Sequence, residues 1–364
     1  PRDRKGLPES LRFWKTRIEE TDPCATFSVG LLYGPSGSGK SSLVKAGLLP
    51  RLHRSVIPIY IESTPQETEA RLLRGLRKHC PAVEENLSLK ETLASLRCGG
   101  ELPEGKKILV VLDQFEQWLQ ARKETENTDL VQALRQCDGG RVQCLLMVRD
   151  DFWLAISRFL RELEIPLVEG ENCALTDLFD LDHAHKVLAA FGKAFGKLPE
   201  EINDTTKEQN DFLNQSIAGL SEEGKVICIR LALFAEIMKG KPWTPATLNA
   251  VGGTTGVGVT FLEETFSAAA APPQHRYHES AARAILSALL PECGLDIKGE
   301  MKSRKELLEL SGYTRRPQDF DDLIRILDSE IRLVTPTDPK GLEGDEESIL
   351  QSLKGQRFFF FFHD

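Results

Sequence analysis

GPSGSGKSS, residues 34–42, follows the apolar run FSVGLLYG (27–34) and opens the helix-forming stretch GKSSLVKAGLLPRL (39–52). Gly34, Pro35, Ser36, Gly37, Ser38, Gly39, Lys40 and Ser41 fit GxxxxGK[ST], with Ser42 continuing the helix, in the strand-to-helix setting that this motif requires. Glycines let successive backbone N–H groups turn inward on phosphates, and the helix N-terminus adds positive potential. Lys40 is placed to neutralise β- and γ-phosphates. The Ser41 hydroxyl is placed to ligate Mg2+, which prefers octahedral oxygen ligands shared with phosphate and water.

Further along, ILVVLDQFE (108–116) is an apolar strand ending in an acid. That puts Asp113 at the carboxyl end of a central strand, where open α/β sheets bind ligands, with Mg2+ within its reach through water. Many hydrolytic P-loop proteins carry Glu directly after this Asp, but here the position is Gln114. Glu116 comes within reach if the chain turns helical after the strand, and it is the candidate base that polarises the attacking water; the other reading is a surface helix acid. Arg149 ends the strand in LLMVRDDF (145–152), at the same sheet edge. It is a candidate sensor of the γ-phosphate, the alternative being an ion pair with Asp150, Asp151 or another nearby acid.

Around these stretches strands and helices alternate. Strands are expected at 27–34, 56–63, 106–115, 142–150 and, as a short fifth, EIPLVEG (164–170). Helices are expected over 39–52, 66–80, 88–97, 115–123, 128–137 and 151–164. Strand, crossover and strand repeated in this way imply an α/β fold, a parallel sheet flanked by helices.

From about 175 only helical patterns follow, at 175–196, 210–220 and 224–240. PWTPATLNAVGGTTGVG (242–258) is rich in turn formers and leaves room for one short helix. After a break at SAAAAPPQ (267–274), helices near 278–290, 303–311 and 317–328 precede two strands, one in DSEIRLVTPTD (328–338) and one in RFFFFFHD (357–364). The expected division is a nucleotide-binding domain over 1–174, a helical lid or adaptor over 175–266 and a winged-helix-like domain over 267–364.

At 364 residues two or three domains are expected. Hydrophobic residues at 41% and charged residues at 28% are near the averages for a globular protein, so a large core is available. The formal charge of −9 disfavours nonspecific attraction to phosphate backbones, despite the local basic stretch RKGLPESLRFWKTR (4–17), so nucleic acid is not the default partner. Eight scattered cysteines without a CxxC pair read as reduced thiols of a cytoplasmic protein. The longest apolar segment, VICIRLALFAEIM (226–238), holds Arg230 and Glu236 and is too short to span a bilayer. The start, PRDRKGLPES, has neither Met nor an apolar signal core and reads as a piece of something longer.

GPSGSGKSSLVKAGLLPRL, LVVLDQFEQW and LLMVRDDFW together resemble the novel STAND class of P-loop NTPases, signal transduction ATPases with numerous domains. The resemblance implies an ATP/ADP-controlled switch in which a helical adaptor and a winged helix close over the nucleotide. It also implies self-association on activation, and effector and sensor domains in flanking sequence. It places the Walker A motif on Gly34 to Ser42, the Walker B acid on Asp113 with Glu116 beside it, and a sensor arginine on Arg149. His363 of the terminal HD resembles the winged-helix histidine that touches bound ADP. Two departures stand out: RFFFFFHD is a low-complexity run, and the adaptor's Gly-x-Pro turn is not evident in GLSEEGKVICIRLALF (219–234).

His183 with His185 and His275 with His278 read as structural or solvated histidines. Arg230 reads as the partner of an acid, the alternative being a lid arginine that reaches phosphate. The rival to a switch is an AAA-like ATPase whose winged helix binds DNA through RKELLELSGYTRRPQDFDDLIR (304–325).

Overall fold

The computed structural model describes residues 8–84, 86–99, 102, 105–122, 128–201, 204–289, 302–327, 334–337 and 357–360. The chain divides into two compact units, Pro1–Leu178 and Phe179–Asp364.

The first unit begins with α1 (Glu9–Glu19), whose Leu11, Trp14 and Ile18 recur at helical spacing and are buried. There follow β1 (Val29–Gly34), α2 (Lys40–Ser42, continuing as a π turn to Leu48 and a 3-10 turn to Arg51), β2 (Val56–Glu62), α3 (Thr68–His79) and α4 (Leu89–Cys98). Next come β3 (Lys107–Asp113), α5 (Glu116–Gln120), α6 (Asp129–Leu134), β4 (Val142–Arg149), α7 (Trp153–Glu162) and β5 (Cys173–Leu175).

All five strands are parallel, in the order β2-β3-β4-β1-β5. β3 is buried along its whole length, which is why it reads as one continuous apolar run. Successive side chains go to opposite faces. Ile108, Val110 and Leu112 join one core with Leu72, Leu93, Val131 and Phe159 of the helices, while Leu109 and Val111 join another with Trp14, Val44 and Leu48. The sheet is therefore covered on both sides.

The fifth strand is not EIPLVEG. Cys173–Leu175 pairs with β1 instead, Leu31 opposite Cys173 and Tyr33 opposite Leu175. Pro166 lacks the N–H that a ladder needs. The segment before β5 is folded on itself: Asn172 donates to the Pro166 carbonyl at 2.8 Å and accepts from the Val168 N–H at 2.9 Å.

The second unit opens with β6 (Phe179–Asp180), α8 (Leu181–Ala194), α9 (Lys207–Leu220), the short strands β7 (Ser221–Glu222) and β8 (Lys225–Val226), and α10 (Cys228–Met238). The helix expected from 175 starts at Leu181, because Asp180 accepts the His183 N–H at 2.7 Å and caps it. The turn-rich stretch holds two helices rather than one, α11 (Pro245–Ala250) and α12 (Gly253–Leu262). Thr244 caps the first through the Thr247 N–H, and Gly252 and Gly253, at φ +80° and +73°, form the corner between them.

α13 (Pro273–Tyr277), α14 (Glu279–Leu289), β9 (Lys302–Ser303), α15 (Arg304–Leu310), α16 (Pro317–Arg325), β10 (Val334–Thr337) and β11 (Arg357–Phe360) complete the unit. The last three strands form an antiparallel sheet in the order β10-β11-β9, one strand more than the two expected here. Two apolar clusters fill this unit, one around Leu188, Phe212 and Phe234 and one around Ile285, Phe320 and Leu323, and both touch Leu233 and Phe261. The boundary between the two units falls at Leu178.

Candidate functional site

The chain leaves β1 for strands on one side of it and returns for β5 on the other, so the order of connection reverses at β1. Ligand crevices form at the carboxyl ends of strands at such a point. There, Gly34 lies in register with Arg149 of β4, and Asp113 with Glu62 of β2. Gly34, Asp113 and Arg149 thus sit on one edge.

The loop between β1 and α2 is built from conformations that side chains resist. A Cβ on Gly34 would meet the Thr176 carbonyl oxygen at 2.0 Å, and Gly37 and Gly39 adopt φ +74° and +87°. Pro35 and Ser36 lead into that turn, the Ser38 N–H donates back to the Pro35 carbonyl at 3.3 Å, and Gly39 caps α2, which holds Lys40, Ser41 and Ser42. The Lys40 ammonium donates to the carbonyls of Gly34 at 2.7 Å and Pro35 at 2.9 Å, so it lies within the loop's own curve.

Asp113 is 2% exposed and accepts hydrogen bonds from three separate elements. Ser41 Oγ donates to Oδ2 at 2.6 Å, the Tyr60 hydroxyl donates to the same oxygen, and the Gln114 N–H donates to Oδ1 at 2.8 Å. Burial, followed by the adjoining Asp113 charge, pushes the Tyr60 phenol far above its usual range, so it stays a donor. Gln114 takes φ +53°, a left-handed bend that ends β3 and starts α5.

Glu116 is the first residue of α5 and is buried, not the surface acid of the alternative reading. Arg149 is held by Asp151, Nε to Oδ1 at 3.0 Å and Nη2 to Oδ2 at 2.7 Å. Arg230 pairs with Glu222 on β7. His363 lies outside the described residues.

The donor set fits a nucleotide carrying a divalent cation. A lysine sits in a glycine turn, and a hydroxyl and a carboxylate already bonded to each other are available as oxygen ligands. Among the described residues no group of three or more His, Cys, Asp and Glu could hold a metal by itself. Phosphate and water would therefore complete the coordination. A cavity of about 490 Å³ lined by Lys15, Glu19, Arg51 and His53 lies at the start of β2, at the other end of the strands, and has no part in this site.

Tyr60 and the left-handed bend at Gln114 are the parts of the site that motif reading misses. Tyr60 had a faint signal: Tyr60 and Glu62 alternate onto one face of β2, but only the register with β3 brings that face to Asp113.

No curated protein matches this sequence. Among solved structures the chain is similar to the ORC2 protein of Aeropyrum pernix in ADPNP–ADP complexes, at 15% identity over 98% of this chain and 92% of that one, TM-score 0.49. It is also similar to the Walker-type ATPase paby2304 of Pyrococcus abyssi, at 17% identity over 93% of this chain and 94% of that one, TM-score 0.47. Drosophila ORC bound to DNA is similar at 15% identity over 98% and 91%, TM-score 0.40. The family model nSTAND1, Novel STAND NTPase 1, matches residues 15–187, which contain the whole sheet and every described residue of the site. Over residues 15–187 the chain is thus similar to the novel STAND NTPases.

Proposed function

We propose that the chain is a nucleotide-controlled switch: ATP holds an open state, and slow Mg2+-dependent hydrolysis returns a closed ADP state. The observation that carries this reading is the Ser41–Asp113 hydrogen bond, which joins the phosphate loop to the strand-end acid. Lys40 binds the β- and γ-phosphates, Ser41 and Asp113 serve the cation, Glu116 polarises the attacking water and Arg149 senses the γ-phosphate. His363 contacts ADP in the closed state.

The residues after 174 act in this scheme as a helical adaptor (175–266) and a winged-helix-like domain (267–364), a division supported by the two apolar clusters of the second unit. ATP binding promotes self-association, and effector and sensor domains lie in flanking sequence. The net charge of −9 speaks against duplex DNA as the partner. Eight scattered cysteines without a CxxC pair favour a cytoplasmic setting. Among the described residues no helix is long and apolar enough to cross a membrane.

Denaturing the purified chain and identifying the released nucleotide by ion-pair chromatography tests the reading. Retained ADP, absent from Lys40→Ala, supports it. A chain that neither carries nor binds ATP or ADP, or one that turns ATP over quickly with salt-sensitive DNA binding, overturns it.

A further inference from the structure

We propose that Tyr60 is the residue that positions the Asp113 carboxylate for the divalent cation, a role resting on the nucleotide-switch reading above. A carboxylate has about four acceptor directions. Ser41, Tyr60 and the Gln114 N–H use three of those on Asp113, from α2, β2 and the turn after β3. The backbone N–H orients Oδ1. At Oδ2 the two hydroxyls differ in their freedom.

Ser41 belongs to the phosphate loop and has its own role toward the cation, so its bond to Asp113 changes when nucleotide enters. Tyr60 has no such second task. Its partly buried ring packs against the core formed by α1 and the helix after the loop, and Lys45 Nζ sits 4.5 Å from the ring centroid. Lys45 is itself tied to Glu62 at 2.7 Å, two residues along β2. The phenol is thus clamped from both sides. It keeps the carboxylate from rotating while Ser41 turns to its ligand, which leaves two Asp113 acceptor directions for cation-bound water.

Partners that orient a direct metal ligand raise metal affinity by roughly 10–100-fold, and acting through Asp113 and its water Tyr60 falls at the low end of that range. No short motif marks Tyr60, because its role depends on strand register and not on local sequence.

The test separates this role from nucleotide binding itself. Binding of a fluorescent ADP to wild type and Tyr60→Phe is measured first in EDTA, then during titration with Mg2+. Tyr60→Phe keeps the ring and its contact with Lys45 and removes only the hydroxyl. Unchanged affinity in EDTA with a roughly tenfold higher Mg2+ half-saturation supports the proposal. Equal Mg2+ half-saturation in the two proteins overturns it. Wild type failing to bind ADP in EDTA and in Mg2+ alike, with Lys40→Ala indistinguishable from it, sinks the nucleotide reading and this proposal with it. If Tyr60→Phe does not fold, 3-fluorotyrosine placed at position 60 alone reports on the wild-type packing. A 19F shift on adding Mg2+ to the ADP complex supports the role, and a line that does not move overturns it.

Discussion

Arg149 grips Asp151 with two parallel hydrogen bonds, Nε to Oδ1 at 3.0 Å and Nη2 to Oδ2 at 2.7 Å, while its backbone lies in register with Gly34 of the phosphate loop. A guanidinium so engaged reaches a γ-phosphate only by exchanging one anionic partner for another. Asp151 is half-exposed, so the pair contributes about 0.2–1 kcal/mol. Asp151→Asn therefore raises affinity for ATP relative to ADP by about two- to fivefold, and Arg149→Ala abolishes the preference. Calorimetric titration with a non-hydrolysable ATP analogue and with ADP measures both ratios. Should Asp151→Asn leave the ratio unchanged, Arg149 does not read the γ-phosphate.

Glu116 lies three residues beyond Asp113, buried at the first position of α5. Replacing it with Gln keeps the shape and a hydrogen-bonding capacity but removes the base. Nucleotide affinity should stay within about twofold while hydrolysis falls about 100-fold or more, leaving ATP trapped. Single-turnover chromatography of bound nucleotide follows the decay. Hydrolysis by Glu116→Gln at the wild-type rate refutes the assignment and turns attention to Gln114.

What could be read ahead of the structure follows a physical division. The phosphate loop was legible because its requirements are local: positive φ at Gly37 and Gly39, and a lysine opening the helix. Asp113 was legible because a strand buried on both faces leaves an unmistakable apolar run. The fifth strand was misplaced because Cys173–Leu175 is only three residues long, while the more strand-like EIPLVEG carries Pro166 and closes on Asn172. α11 and α12 were undercounted because six glycines and prolines between 242 and 258 signal turns, though two of the glycines simply form the corner between helices. The bend at Gln114 and the reach of Tyr60 depend on tertiary packing and strand register, which single-sequence patterns do not encode.

Lys107 begins β3 in the core, 3% exposed, with its Nζ donating to the Glu20 carbonyl at 2.5 Å. Burial pushes its pKa down from 10.5 to about 8, against the opposing pull of the Asp138 and Glu20 charges. Between about 8 and 10.5 the unfolded chain holds a proton on this lysine that the folded chain has released, so this group makes stability rise with pH across that window. Urea unfolding of wild type and Lys107→Met at pH 7, 8, 9 and 10 isolates the effect as a difference. The wild type should gain on the variant as pH rises; a constant difference removes the lysine as the cause.

Glu69 of α3 staples the helix that carries Glu116. Its Oε1 accepts the Trp118 Nε1–H at 2.9 Å and the Arg122 Nη2–H at 2.9 Å, and the Arg122 guanidinium lies 4.3 Å from the Trp118 ring centroid. Trp118 is fully buried, so removing its acceptor leaves an indole N–H without a partner, at a cost of about 1–3 kcal/mol. Glu69→Gln keeps an acceptor and loses only the charge on a partly exposed pair, at a cost below about 1 kcal/mol. Glu69→Ala should therefore lower the urea midpoint more than Glu69→Gln. It should also slow hydrolysis with little change in ADP affinity, because Glu116 rides on α5 while the phosphate loop lies on another element. Equal losses of hydrolysis and ADP affinity in Glu69→Ala would mean that the staple supports the whole unit and not the position of Glu116.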